Sequence, residues 1–172
     1  MIKYMVKAYL MQEADPGKTL TRVNAVAGKH LGPDEFVTAL VLILEFDQKK
    51  MTFANAGHYQ PVVCGDRCNC LQKDSGAEEP PLGILPEFLY TNTGMSASGI
   101  NSILLYTDGL IDARDEKGRR FGEAGVIKSC KDARASSAQG STNRVAGAAL
   151  DHAGGSLSDD LALVTISFPS PT

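Results

Sequence analysis

No apolar run in this 172-residue sequence approaches the roughly 18 residues that a membrane-spanning helix needs. That excludes a helical span. The opening segment MIKYMVKAYLMQEAD lacks a continuous apolar stretch and a small-residue cleavage site, so it does not read as a secretory signal, and a cytoplasmic location is expected. An excess of one charge sign is also missing. With 17 Lys and Arg against 20 Asp and Glu, the formal net charge is -3, and composition gives no case for nucleic acid or an anionic membrane as partner. There is no internal repeat and no composition shift that marks a boundary. A single domain is expected, and 43% hydrophobic residues suffice to fill its core.

Cysteine is scarce too, but unevenly placed. Of the four, Cys64, Cys68 and Cys70 fall within CGDRCNC, and Cys130 stands far away in sequence. In a cytoplasmic protein they are expected to be thiols. Three thiolates this close could bind zinc, yet the spacing is not C-x2-C and no fourth ligand is obvious; His58 is the nearest imidazole. A hairpin tip with incidental cysteines is the plainer reading, and redox sensing stays open.

What is present is a sequence of well-punctuated elements. Residues 1–12 place Ile2, Met5 or Val6, and Tyr9 on one helical face. Asp15-Pro16 reads as an N-cap followed by proline at the first helical position. The helix behind it buries Leu20, Val23, Ala27 and Leu31 and ends at Gly32. FVTALVLILEF (36–46) is too uniformly apolar for a half-exposed strand and predicts one covered on both faces. DQKK turns it back into MTFANAG (51–57) as a hairpin, and residues 61–65 and 69–73 suggest a second hairpin across the cysteine tip. SGAEEPPLGILPEF is a loop by its proline and glycine. A strand at 101–107 follows, then a helix at 121–131 with Ala124, Val126 and Ile127 near one face, a polar linker at 135–141, a short helix at about 142–152 and a last strand at 160–168. Helices flanking a mostly antiparallel sheet make an α+β layered fold.

Two acidic strand ends carry the chemical interest. The strand ILLYTDG stops at Asp108 with Gly109 behind it. This is either a turn or a carboxylate held where a metal ion or substrate can meet it. SDDLALVTISF puts Asp159 and Asp160 before the last strand. Adjacent carboxylates repel unless a cation or donor offsets them, and alternation along a strand lets only one of them face a given site. A hard divalent ion, Mg²⁺ or Mn²⁺, suits such a set, because it takes a few carboxylates and keeps several waters. His58, in NAGHY, reads either as a general acid or ligand, or as a residue that orders its own turn. Ser156 and Ser158 have no visible His-Asp partners, which argues against a serine hydrolase. Arg114, Lys117, Arg119 and Arg120 form a solvated loop, or a contact for a phosphorylated protein.

Taken in order, FVTALVLILEFDQKKMTFANAGHYQPVV, PPLGIL, ILLYTDGLIDARDEKGRRFG and SDDLALVTISF resemble the stage II sporulation protein E (SpoIIE) family of metal-dependent, PPM-type protein serine/threonine phosphatases. The resemblance spans nearly the whole chain. It implies an α-β-β-α sandwich with antiparallel sheets between helical layers. It implies Mn²⁺ or Mg²⁺ bound at one end, and a metal-activated water that attacks phosphoserine or phosphothreonine. By matching motifs, Asp108 and Asp159 are the implied catalytic metal ligands, with Asp160 accessory, and Gly109 permits the close turn beside them. The implied substrate is a phosphorylated protein of the anti-anti-sigma-factor kind.

One departure stands out. The family's early Gly-Asp-x-x-Gly motif, whose aspartate bridges two ions, has no counterpart in these residues, and Asp15-Pro16-Gly17 reads as a helix cap. The resemblance therefore implies a domain without its first strands, a metal centre that is weak or unformed, and an open sheet edge covered in a homodimer. A catalytically inactive binding or regulatory module is the alternative reading.

Overall fold

The computed structural model describes residues 1–71, 78–133 and 137–168. Their order is α1 (Ile2–Gln12), α2 (Pro16–His30), β1 (Ala39–Glu45), β2 (Lys50–Ala56), β3 (Val62–Cys64), β4 (Cys68–Cys70), β5 (Thr93–Ser96), β6 (Ser102–Tyr106), α3 (Asp108–Ile111), α4 (Gly122–Asp132), α5 (Ala138–His152) and β7 (Leu163–Ser167). All strand pairs in the two sheets are antiparallel, as the α+β reading expects. The elements fall into two compact units, one built from α1, α2, β1, β2 and β5, the other from β3, β4, β6, β7 and α3–α5.

In the first unit, α2 starts where sequence places it. The Asp15 carboxylate accepts from the Lys18 N–H at 2.9 Å, and Pro16 occupies the first turn. Asn92 locks this start, accepting from Gly17 N–H and donating to Asp15. Leu20, Val23 and Ala27 recur at helical spacing and are wholly buried against Val41, Ala54, Ala56, Leu82 and Tyr90. The buried Asn24 is satisfied by Leu85 O and Gly83 N, which fixes the glycine-proline loop.

The sheet of this unit runs β1-β2-β5. Ala97 N–H donates to Lys49 O, so alternate residues of β2 turn their backbone groups toward β5 and the others toward β1. The β1–β2 register then makes Ala39↔Ala56, Val41↔Ala54, Ile43↔Thr52 and Glu45↔Lys50 the hydrogen-bonded pairs. It leaves the backbone of Leu40, Leu42 and Leu44 facing outward. Among the described residues no strand pairs with that side of β1. The expected strand covered on both faces is thus corrected: only Val41 of its seven residues is buried. An edge strand keeps an apolar sequence here without the cover that sequence suggests.

In the second unit the order is β4-β3-β6-β7. Val62, Cys64, Leu104 and Tyr106 point into a core with Val126 and Cys130 of α4 and Val145 and Ala149 of α5. Several expectations change. Residues 138–141 are the first turn of α5, because the Ser137 hydroxyl accepts from Gly140 N–H and caps it; residues 135 and 136 of the expected linker lie outside the described residues. On α4 the buried positions are Val126, Ser129 and Cys130, while Ala124 is exposed. Strand β5, TGMS, lacks the alternation that would announce it. The last strand begins at Leu163, not at residue 160. The cysteine hairpin forms as expected, although residues 72 and 73 of its second arm lie outside the described residues.

The expectation of four thiols is also corrected: Cys64 and Cys68 are joined as a disulfide, with Cys70 and Cys130 free. The register explains the link. Gly65 N–H donates to Arg67 O and Leu71 N–H to Pro61 O, which makes Cys64↔Cys68 a non-hydrogen-bonded pair with Cα atoms 4.0 Å apart.

Candidate functional site

The two acidic segments meet. Strand β6 runs Ile103 and Leu104 through the core to Tyr106 and hands over to α3 at Thr107. Thr107 N–H donates to Ala162 O at 3.1 Å, its hydroxyl donates to Asp160 O at 3.3 Å, and Ala162 N–H donates back to that hydroxyl at 3.0 Å. Three hydrogen bonds therefore clamp the end of β6 onto the segment before β7.

Gly109 completes the junction. A Cβ there would stand 2.4 Å from Asp160 O and 3.4 Å from Asp159 O, so only glycine lets α3 lie against the Asp159–Asp160 backbone. Asp108, Asp159 and Asp160 are exposed at this junction. Each of the two proposed ligands accepts from the next residue's N–H: Gly109 N to Asp108 Oδ1 at 3.1 Å, and Asp160 N to Asp159 Oδ1 at 2.7 Å. These local bonds hold one carboxylate oxygen of each and leave the other available.

Two details differ from the sequence reading. Asp108 opens a short helix instead of a simple turn, and Asp159 lies in a bend with Asp160 just after it, ahead of β7. Strand alternation therefore does not decide which of the pair faces the junction.

Sequence reasoning missed the surroundings. Tyr59 stacks on Tyr106 with ring centroids 6.2 Å apart. Burial, and then the charges of Asp112 and Asp108, hold its phenol above the ordinary range. Arg120 reaches Asp112 at 3.2 Å, one helical turn past Asp108. The basic loop is tightly folded: the Asp115 carboxylate accepts from the N–H groups of Lys117 and Arg119 and from the Arg119 side chain. The aspartate-arginine alternation in DARDEKGRR was the available signal for this pairing.

His58 belongs to the other unit. Asn55 accepts from His58 N–H at 2.7 Å and donates to His58 O at 2.8 Å, and Thr38 Oγ1 lies 3.3 Å from His58 Nδ1. Gly57, at φ +66°, has Pro81 packed where a side chain would go. NAGH thus builds a fixed turn around His58.

Among the described residues no three His, Cys, Asp or Glu side chains are grouped to hold a metal ion. The acidic junction supplies exposed, hard oxygen donors suited to Mn²⁺ or Mg²⁺, but the described residues do not fit a complete two-ion centre.

The family model described as Stage II sporulation protein E (SpoIIE) matches residues 1–169. The chain belongs to the SpoIIE family. Phosphoserine phosphatase RsbU of Bacillus subtilis (strain 168) is 25% identical over 118 residues, spanning 69% of this chain and only 35% of that protein. The SiaA-PP2C domain of Pseudomonas aeruginosa superposes with a TM-score of 0.80 at 17% identity, covering 98% of this chain and 68% of that one. The phosphatase domain of SpoIIE from Bacillus subtilis gives 0.69 at 14% identity, covering 99% and 74%. These structural likenesses establish a PP2C phosphatase-domain fold for this SpoIIE-family chain. Among the described residues no helix is long and apolar enough to cross a membrane.

Proposed function

We propose that this SpoIIE-family domain is a protein serine/threonine phosphatase module of bacterial partner-switching signalling, with a phosphorylated protein as its substrate. The observation that carries the reading is the junction at Gly109, where the backbone next to Asp108 lies against Asp159 and Asp160 at an approach only glycine permits. Asp108 and Asp159 are its Mn²⁺ or Mg²⁺ ligands, and Asp160 is accessory. In the loop from Arg114 to Arg120, Arg114 is held on Gly118 O and Arg119 on Asp115, while Arg120 pairs with Asp112, one helical turn past Asp108, where a guanidinium could meet a phosphate.

A second reading has its own observation: among the described residues no three His, Cys, Asp or Glu side chains are grouped for a metal ion. These residues by themselves then act as a non-catalytic module that binds a phosphoprotein or partner. The open side of β1, apolar up to the terminal Glu45 and free of proline, supports a homodimer that covers it; sedimentation velocity across a concentration series reads that directly.

The deciding experiment is hydrolysis of p-nitrophenyl phosphate by the purified chain with and without Mn²⁺, with Asp108→Asn beside it. Little turnover is expected from these residues alone. Robust Mn²⁺-dependent turnover that Asp108→Asn loses would establish the catalytic reading and remove the second.

A further inference from the structure

All four cysteines of the chain gather in one core cluster of the second unit. Cys64 and Cys68 are bonded across the β3–β4 hairpin. Cys70 lies two residues beyond Cys68 on β4 and so returns to the same face. Helix α4 brings Cys130 into the core cluster against which Cys70 packs. The motif CGDRCNC has three sulfurs and no fourth ligand by spacing; the fold supplies the fourth from α4.

An independent observation points to an anion at this place. Tyr106 is 3% exposed, and its hydroxyl is buried with no hydrogen-bond partner among the described residues. A buried donor without an acceptor is costly. Tyr106 shares one core cluster with Cys64, Cys68, Cys70 and Cys130, and a sulfur there is an acceptor for its hydroxyl.

With Cys64 and Cys68 bonded to each other, two sulfurs are unavailable, in keeping with the missing three-ligand group. Reduction releases them. We propose that the reduced Cys64, Cys68, Cys70 and Cys130 form a tetrahedral site for a soft divalent cation of the zinc type, with the Tyr106 hydroxyl donating to one of the sulfurs. A phosphine reductant converts the disulfide to two thiols and becomes the phosphine oxide, taking its oxygen and the two thiol protons from water. Each thiol that ligates then releases its proton.

The test uses the whole chain, reduced with a phosphine and titrated anaerobically with Co²⁺ while absorption is followed. One equivalent should bind with an intense thiolate-to-cobalt band that Zn²⁺ then abolishes. The disulfide form should bind at least about 10-fold more weakly. Cys130→Ser and Cys70→Ser should each reduce affinity by about 10-fold or more and shift the band, and Tyr106→Phe should cost about 10- to 100-fold. Circular dichroism checks folding; if Cys130→Ser unfolds, the half-buried Cys70→Ser decides. A reduced wild-type chain that gives no such band overturns the proposal, as does a folded Cys70→Ser that binds Co²⁺ like the wild type.

Discussion

The two units of this chain use similar materials to different ends. The unit with the acidic junction closes its core: β3, β6, α4 and α5 contribute buried side chains, and Thr107 and Gly109 fasten its loops by backbone contact. The unit with α1 and β1 leaves its materials half used. None of the eleven residues of α1 is buried, although Ile2, Met5, Val6 and Tyr9 pack against the core, and β1 buries only Val41. One unit thus holds a fixed site around its core while the other leaves an apolar margin at β1, although β7 at the edge of the first unit also buries no residue. The difference lies in whether a second element seals the strand.

The largest expected effect attacks the sealed junction. Gly109→Ala drives a methyl against the Asp160 carbonyl, which is backbone and cannot step aside. A loss of about 2–4 kcal/mol is expected in urea unfolding. An unchanged midpoint would remove the claim that close approach shapes this site.

The alkaline limb of the stability curve probes the same unit. Burial, followed by the charge of Cys70, raises the Cys130 thiol from its ordinary 9.0 to about 12. As pH rises, the unfolded chain gives up that proton first, so stability is full below pH 9.0 and is lost between 9.0 and about 12. Cys130→Ala should flatten that part of the curve when unfolding is followed at stepped pH.

Thr107→Val keeps the shape and removes the hydroxyl that bridges Asp160 O and Ala162 N–H. It should cost about 1–2 kcal/mol by thermal unfolding. In the other unit, Asp15→Ala removes the α2 cap and the Asn92 contact, for about 1 kcal/mol. Smallest of all, Met11→Ser on the exposed end of α1 should stay within about 0.5 kcal/mol. A large loss at Met11 would mean that the margin is not open, and the contrast between the units would fail.

Much of this was legible in sequence because it is written locally. Asp15-Pro16 announces a helix start, DQKK a turn, and YTDG with SDD an acidic pairing whose meeting the structure reports. What could not be read depends on distant residues. TGMS becomes a strand because β2 offers it a partner, and Ser137 starts a helix inside a stretch that looks like linker. FVTALVLILEF was over-read, since apolar composition reports what a strand could bury and not what lies beside it. The fourth cysteine of the cluster was invisible, because α4 brings it across a long stretch of chain.

The central claim is that Asp108 and the Asp159–Asp160 segment form one metal-binding edge. Isothermal titration of the purified chain with Mn²⁺ tests it most directly, beside Asp108→Asn, Asp159→Asn and, as a control outside the edge, Asp112→Asn. The account predicts weak binding of a single ion that either of the first two substitutions abolishes and Asp112→Asn preserves. Undiminished Mn²⁺ affinity in Asp108→Asn would contradict it.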